Sequence, residues 1–171
     1  MEDIFNSLEP FFNDCYRRIS VREYARLTKI SPPTASKLLN SFVKQGILKK
    51  EKDRIYHLFY PNKDNWLFTE ILKMYWRKTL EKIKLIEKLE SEFKMPTIIL
   101  FGSLTKGEFK NNSDIDIAII SPSNPKIDYS QYENKLKRKI QIFQFDSIEN
   151  IKNKDLLNNI LSGYIIKGRL Y

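Results

Sequence analysis

Between positions 97 and 120, three short groups of residues have types and spacing that can do chemistry. Thr97–Phe101 is an apolar run of buried-strand type, and it ends directly in Gly102-Ser103. A polar segment containing Lys106 and Gly107 follows, and Asp114-Ile115-Asp116 then opens a second apolar run, Ile115–Ile120. Residues i and i+2 of a strand point to the same face, so the carboxylates of Asp114 and Asp116 converge. Two oxygen-only ligands suit Mg²⁺, which keeps several waters and takes phosphate oxygens as further ligands. Gly102 lets the backbone approach a triphosphate closely, and the Ser103 hydroxyl and N–H can bond a phosphate oxygen. Lys106 is spaced to meet a phosphate, and Gly107 lets the loop turn.

Joined at this spacing, with each half attached to an apolar strand, the Gly-Ser…Asp-x-Asp pattern resembles the nucleotidyltransferase superfamily of DNA polymerase β, in its minimal, single-domain branch. The motif spans about two dozen residues, and the wider β–α pattern covers residues 96–171. The resemblance implies metal-assisted, in-line displacement at an α-phosphate with release of pyrophosphate, using Mg²⁺ and ATP or another nucleoside triphosphate. On it, Asp114 and Asp116 are the catalytic and metal-binding residues, and Gly102, Ser103, Lys106 and Gly107 bind the nucleotide. Active members of the superfamily commonly carry a third carboxylate on the following strand. Here the matching strand is Ile140–Phe145, and the position expected to hold the acid is Gln141. An amide cannot serve as a general base or neutralise a second metal. Asp146 has the wrong parity to replace it, while Glu108 is a substitute from the loop. Leu104 stands where relatives often place a basic residue.

The elements that must position these groups follow from periodicity. The strands at 97–101, 115–120 and 140–145 are expected to be neighbours in a small mixed sheet covered on one face by helices, so that Ser103, Asp114 and Asp116 meet at one edge of a cleft. Tyr132–Lys139 and Asp155–Leu161 read as helices, and Ser121–Asp128 as a loop. Residues 65–94 lack Gly and Pro and carry Leu67, Ile71, Tyr75, Ile83, Ile86, Leu89 and Phe93 at helical spacing, which predicts one long connecting helix of about 45 Å. Its further apolar residues, Trp66, Trp76 and Leu80, suit either a homodimer or packing on their own domain.

Ahead of this helix the texture differs. Apolar residues recur helically over Ile4–Cys15, a short helix follows Ser20, and a third opens at Ser31-Pro32-Pro33 with Leu38, Leu39, Phe42 and Val43 as its stripe. Gly46 ends it. Ile47-Leu48 and Ile55–Tyr60 then flank a charged tip, Lys49–Arg54, in a small hairpin. This order resembles a winged helix-turn-helix, in which the third helix enters the major groove and the wing touches the backbone. On that resemblance Thr34, Ser36, Lys37, Asn40 and Lys44 face DNA from Pro32–Gln45, and Lys49, Lys50, Lys52 and Arg54 supply charge at the wing. The alternative is a solvated polar face on a helical packing module.

The expected architecture is therefore α+β: a winged helix-turn-helix at 1–62, a connecting helix at 63–95 and a minimal nucleotidyltransferase domain with a mixed sheet at 96–171. Composition agrees with a folding chain, since 42% of the 171 residues are hydrophobic and 30% charged. The net charge of +9 is spread, with eleven basic against seven acidic residues in 1–62, eight against six in 63–95 and eleven against eight in 96–171. A diffuse basic excess fits a polyanionic partner such as DNA, RNA or nucleotide. One cysteine, Cys15, read as a core thiol, excludes an internal disulfide framework and any multi-thiolate zinc site. No apolar run has the length of a membrane span and no signal peptide is visible, so the expected location is cytoplasmic.

Two functions follow. The first transfers a nucleoside monophosphate, AMP from ATP, to a protein or small-molecule acceptor; minimal relatives in toxin–antitoxin pairs imply a small helical protein as partner. The second is a DNA-binding regulator or antitoxin whose transferase-like domain has lost activity and senses a nucleotide. The Gly-Ser…Asp-x-Asp pattern favours the first, and Gln141 the second.

Overall fold

A computed structural model describes residues 2–170, and these divide into two compact units. The first comprises Met1–Leu72 together with Lys106–Asn111, and the second Lys73–Thr105 together with Asn112–Tyr171. Among the described residues, no helix is long and apolar enough to cross a membrane.

In the first unit, helices α1 (Glu2–Phe12), α2 (Val21–Thr28) and α3 (Pro32–Lys44) precede strands β2 (Leu48–Asp53) and β3 (Tyr56–Pro61), while a two-residue strand β1 (Ile19–Ser20) completes an antiparallel sheet of order β1-β3-β2. Serine caps set the helix starts. Ser20 accepts from the Glu23 N–H (3.2 Å) and Ser31 from the Thr34 N–H (3.3 Å), with Pro32 and Pro33 in a first turn that needs no N–H donors. Leu8, Phe11, Tyr24, Ala35, Leu39, Phe42, Ile47 and Phe59 are buried and form the apolar interior. The Tyr24 hydroxyl donates to the Ser7 carbonyl at 2.7 Å, and burial pushes its pKa up to about 12.

Two sequence expectations are corrected here, and one strand is added. Helix α1 ends at Phe12, so Cys15 is a buried thiol beyond the helix. Lys49, Lys50 and Lys52 lie along β2, because Leu48–Asp53 pairs residue for residue with Tyr56–Pro61; only Arg54 and Ile55 form the tip, with Arg54 at φ +52°. The short strand β1 carried no period long enough to see.

Residues 106–111 complete this unit. The Cys15 N–H donates to the Phe109 carbonyl at 2.7 Å, and the Phe109 ring is fully buried. Gly107 takes φ +69°, and a methyl there would press on Thr69 Cγ2 at 3.2 Å.

Helix α4 (Trp66–Lys82) enters the second unit, but the expected single helix over 65–94 is broken. Lys84 adopts a left-handed conformation, φ +66°, and α5 (Leu85–Glu92) starts anew. The Lys84 N–H donates to the Glu81 carbonyl three residues back, the tightened bond of a terminating helix. Trp76 and Leu80 are buried within the chain, so of the three residues suited to a dimer only Trp66, 72% exposed, remains on the surface.

Strands β4 (Thr97–Phe101), β5 (Ile115–Ile120), β6 (Ile140–Phe145) and β7 (Tyr164–Lys167) form a sheet of order β6-β5-β4-β7, with β5 and β6 parallel and the other pairs antiparallel. The three expected strands are indeed neighbours, and β7 is an addition. Helix α6 (Ser130–Leu136) ends where Lys137 turns left-handed, and α7 (Lys154–Leu161) starts at an Asn153 cap. Ile99, Phe101, Ala118, Ile151 and Ile160 form a core on one face, with Phe143, Phe145, Leu156 and Leu157 packed against it. All five residues of β4 are buried, which requires cover on both faces of the sheet, not on the single face expected.

Candidate active site

The face of the sheet that carries this core changes character along its length. On β5, Asp116 shares a face with Ala118 and Ile120; on β6, Gln141 shares one with Phe143 and Phe145. The apolar half lies against the core and the polar half lies at the start of both strands. Asp116 pairs with Phe101 on one side and with Gln141 on the other. Gln141 thus stands directly beside Asp116, at the position where the sequence placed the missing acid.

Gly102 follows Phe101 at φ +77°, and a methyl built on it would collide with Oδ2 of Asp116 while lying 3.2 Å from its Cγ. The glycine is required twice, for its backbone conformation and for the space the carboxylate takes. The Thr105 hydroxyl donates to the Gly102 carbonyl at 3.0 Å, and Leu104 and Thr105 are buried, which fixes the turn. Ser103 is partly exposed within it.

Asp114 is exposed just before β5, and Asp116 is half-buried. Burial first, and the charge of Asp114 second, raise the Asp116 pKa to about 6. Neither carboxylate accepts a hydrogen bond or pairs with a cation among the described residues. Two convergent, uncompensated carboxylates fit a hard divalent cation, and Asp114 and Asp116 would hold it. No group of three or more His, Cys, Asp or Glu side chains that could hold a metal occurs among the described residues. The site therefore offers two acids and an amide.

Arg138 supports this edge from the other side. Its Nη1 donates to the Ser113 carbonyl at 3.1 Å, next to Asp114, and its guanidinium lies over the Trp76 ring at 5.6 Å. Nothing in the spacing marks Arg138; its side-chain contact with the Ser113 carbonyl shows its use. Asp146 lies beyond the far end of β6, among residues lining a depression of about 920 Å³ that also includes Thr97 and Ile120, and is no substitute for the acid at 141. Of the expected nucleotide-binding residues, Gly102 adjoins Asp116, and Ser103 follows it in the same turn, both in the second unit. Lys106, exposed, and Gly107, buried, belong to the segment that folds with the first.

The residues expected to face DNA lie on α3, β2 and the hairpin tip. Thr34, Lys37, Lys44, Lys50, Lys52 and Arg54 are exposed. Asn40 ties α3 to β2: its Nδ2 donates to the Ser36 carbonyl at 2.7 Å and its Oδ1 accepts from Lys50 Nζ at 3.3 Å. Lys50 also lies over the Phe59 ring at 5.5 Å. Lys49 is paired with Asp64, which raises the pKa of the lysine and lowers that of the acid.

Comparison with known proteins adds the family. The family model described as "Polymerase beta, Nucleotidyltransferase" matches residues 83–169, from the break between α4 and α5 to just past β7. No curated protein matches the chain. With the match covering half of its residues, including Gly102, Ser103, Asp114 and Asp116, the chain belongs to the polymerase β nucleotidyltransferase family.

Proposed function

We propose that the second unit transfers a nucleoside monophosphate, AMP from ATP, to a protein or small-molecule acceptor, and that the first is a winged helix-turn-helix module that contacts DNA. The observation that carries the first half is the fit of Gly102 against Asp116, which sets the turn after β4 against a carboxylate of β5. Mg²⁺, when held by Asp114 and Asp116, supplies charge neutralisation and Lewis-acid polarisation at the α-phosphate. The Ser103 hydroxyl and the turn's N–H groups orient the triphosphate. An acceptor oxygen bonds to the α-phosphorus, the bond to the bridging oxygen breaks, and pyrophosphate departs with that electron pair. Gln141 cannot take the acceptor's proton. That role falls to the Asp114–Asp116 pair. Resemblance to the minimal transferases of toxin–antitoxin pairs adds a small helical protein to the acceptors worth testing.

The DNA reading rests on the element order and on the β1-β3-β2 sheet behind α3, with Lys37, Lys44, Lys52 and Arg54 exposed. A second reading, a DNA-binding regulator or antitoxin that senses nucleotide without transferring it, is favoured by one observation: the neighbour of Asp116 is an amide, not an acid.

Calorimetric titration of Mg²⁺ with and without ATP, beside a radiolabelled-nucleotide transfer assay, separates the two. ATP should strengthen metal binding in the wild type, and Asp116→Asn should abolish that effect. Equal affinities in wild type and Asp116→Asn would refute the site. Binding without transfer, rescued by Gln141→Asp, would establish the sensing role.

A further inference from the structure

We propose that Lys139, through its side-chain ammonium, binds the β- and γ-phosphates of the triphosphate on the carboxylate face, supplying the positive charge that a second cation cannot; the proposal rests on the nucleotidyl-transfer reading above.

The placement follows from the ladder. The Ile115 N–H donates to the Lys139 carbonyl at 2.9 Å, a bond that closes the first bridge of the parallel ladder, Ile115↔Ile140, so Lys139 directly precedes that pair on one strand as Asp114 does on the other. Side chains alternate along a strand. Arg138 is committed to the Ser113 carbonyl and the Trp76 ring. Lys139 therefore falls on the opposite face, with Gln141 and the two aspartates. It is exposed, and its side chain takes part in no hydrogen bond or ion pair among the described residues.

Charge decides what it is for. Asp114 and Asp116 together neutralise one divalent cation and no more. A second ion would meet only the Gln141 amide, and no third acid or imidazole joins the pair among the described residues. A triphosphate brought to a site with one cation keeps a large negative excess. An exposed ammonium at the head of β6 supplies positive charge at this end of the face, and a flexible lysine binds phosphate as a point charge. Its carbonyl is held by the Ile115 N–H at the head of β6, which fixes the base of its side chain.

The test uses the full chain and Mg²⁺ with ATP, ADP or AMP as probes, read by calorimetric affinity and, separately, by transfer. Lys139→Ala should weaken MgATP binding about tenfold, as loss of a charge-assisted contact does, weaken MgADP comparably and leave AMP unchanged. Lys139→Arg should restore most of the affinity. Binding of Mn²⁺ alone should be unchanged or tighter in Lys139→Ala, since a positive charge beside the acids is gone. MgATP affinity equal in wild type and Lys139→Ala, with Asp116→Asn still defective, would overturn the proposal while leaving the nucleotide site intact. An equal loss for AMP would overturn it too, by showing a general electrostatic or structural effect. Wild-type protein that binds no MgATP would overturn both readings together.

Discussion

Gly102 and Asp116 occupy one space: the carboxylate fills the volume a side chain at 102 would need, and the glycine's φ of +77° turns the chain away behind it. The turn after β4 and the acid of β5 are therefore a single fitted pair, though they stand fourteen positions apart in the chain.

Gly102→Ala breaks that pair. A left-handed backbone costs alanine about 1 kcal/mol, and the new methyl must also displace the Asp116 carboxylate. The variant should lose about 1–3 kcal/mol of stability in urea unfolding and at least tenfold in MgATP affinity by titration. Unchanged nucleotide affinity would mean the carboxylate has room to spare.

The raised pKa of Asp116, about 6, makes a pH prediction. Between about pH 4 and 6 the folded chain holds a proton that the unfolded chain releases. This contribution to stability is fully present below about pH 4 and is lost as pH rises through 6. A shift of two units corresponds to roughly 3 kcal/mol, reduced to about 1–2 kcal/mol because the group is only half-buried and partly screened. Asp116→Asn cannot ionise, so it should melt about 2–8 °C above wild type at pH 7.5 and level with it at pH 4. Excess Mg²⁺ with ATP should close the gap at pH 7.5 by stabilising only the wild type. A variant that melts below wild type at both pH values would show that burial does not strain this carboxylate.

Duplex DNA binding should weaken steeply with salt, each neutralised phosphate adding about 0.9 to the log–log slope. Lys52→Ala and Arg54→Ala should each flatten the slope by about that amount. Lys49→Ala should flatten it less, because Asp64 already holds that ammonium. Salt-independent binding, or none, would make the module a protein-contact surface.

Phe109→Ala should cost about 3–5 kcal/mol, the range for emptying a fully buried aromatic site. The midpoint of urea unfolding checks it. A loss below about 1 kcal/mol would mean the first unit closes over the vacancy.

The nucleotidyltransferase-family half was legible because its pattern is local. Thr97–Phe101 and Ile115–Ile120 are continuous apolar runs, and an Asp-x-Asp at the head of one fixes its own geometry through strand alternation. The neighbour of Asp116 on β6 was readable only through the family resemblance, which pointed to Gln141, because a period of two allows Phe143 and Phe145 on that face as well. What escaped was set by tertiary fit. Lys84 interrupts the helix without a glycine or proline to announce it, because the break is a left-handed turn made by an ordinary residue. Strands β1 and β7 are two and four residues long, too short to show a period. The roles of Arg138 and Phe109 depend on what lies across from them, which no spacing encodes.

The segment 106–111 has a consequence for dissecting the molecule. The first unit is discontinuous: Phe109 plugs its interior, and its carbonyl receives the Cys15 N–H, yet both arrive from the far half of the chain. No single cut yields two self-sufficient pieces. A fragment ending at Leu72 loses a core side chain and a backbone partner, and a fragment beginning at Lys73 carries an aromatic ring with no interior of its own to enter. The two proposed activities must be separated by point substitution in the intact chain, and a fragment that fails to bind reports a missing plug before it reports a missing function.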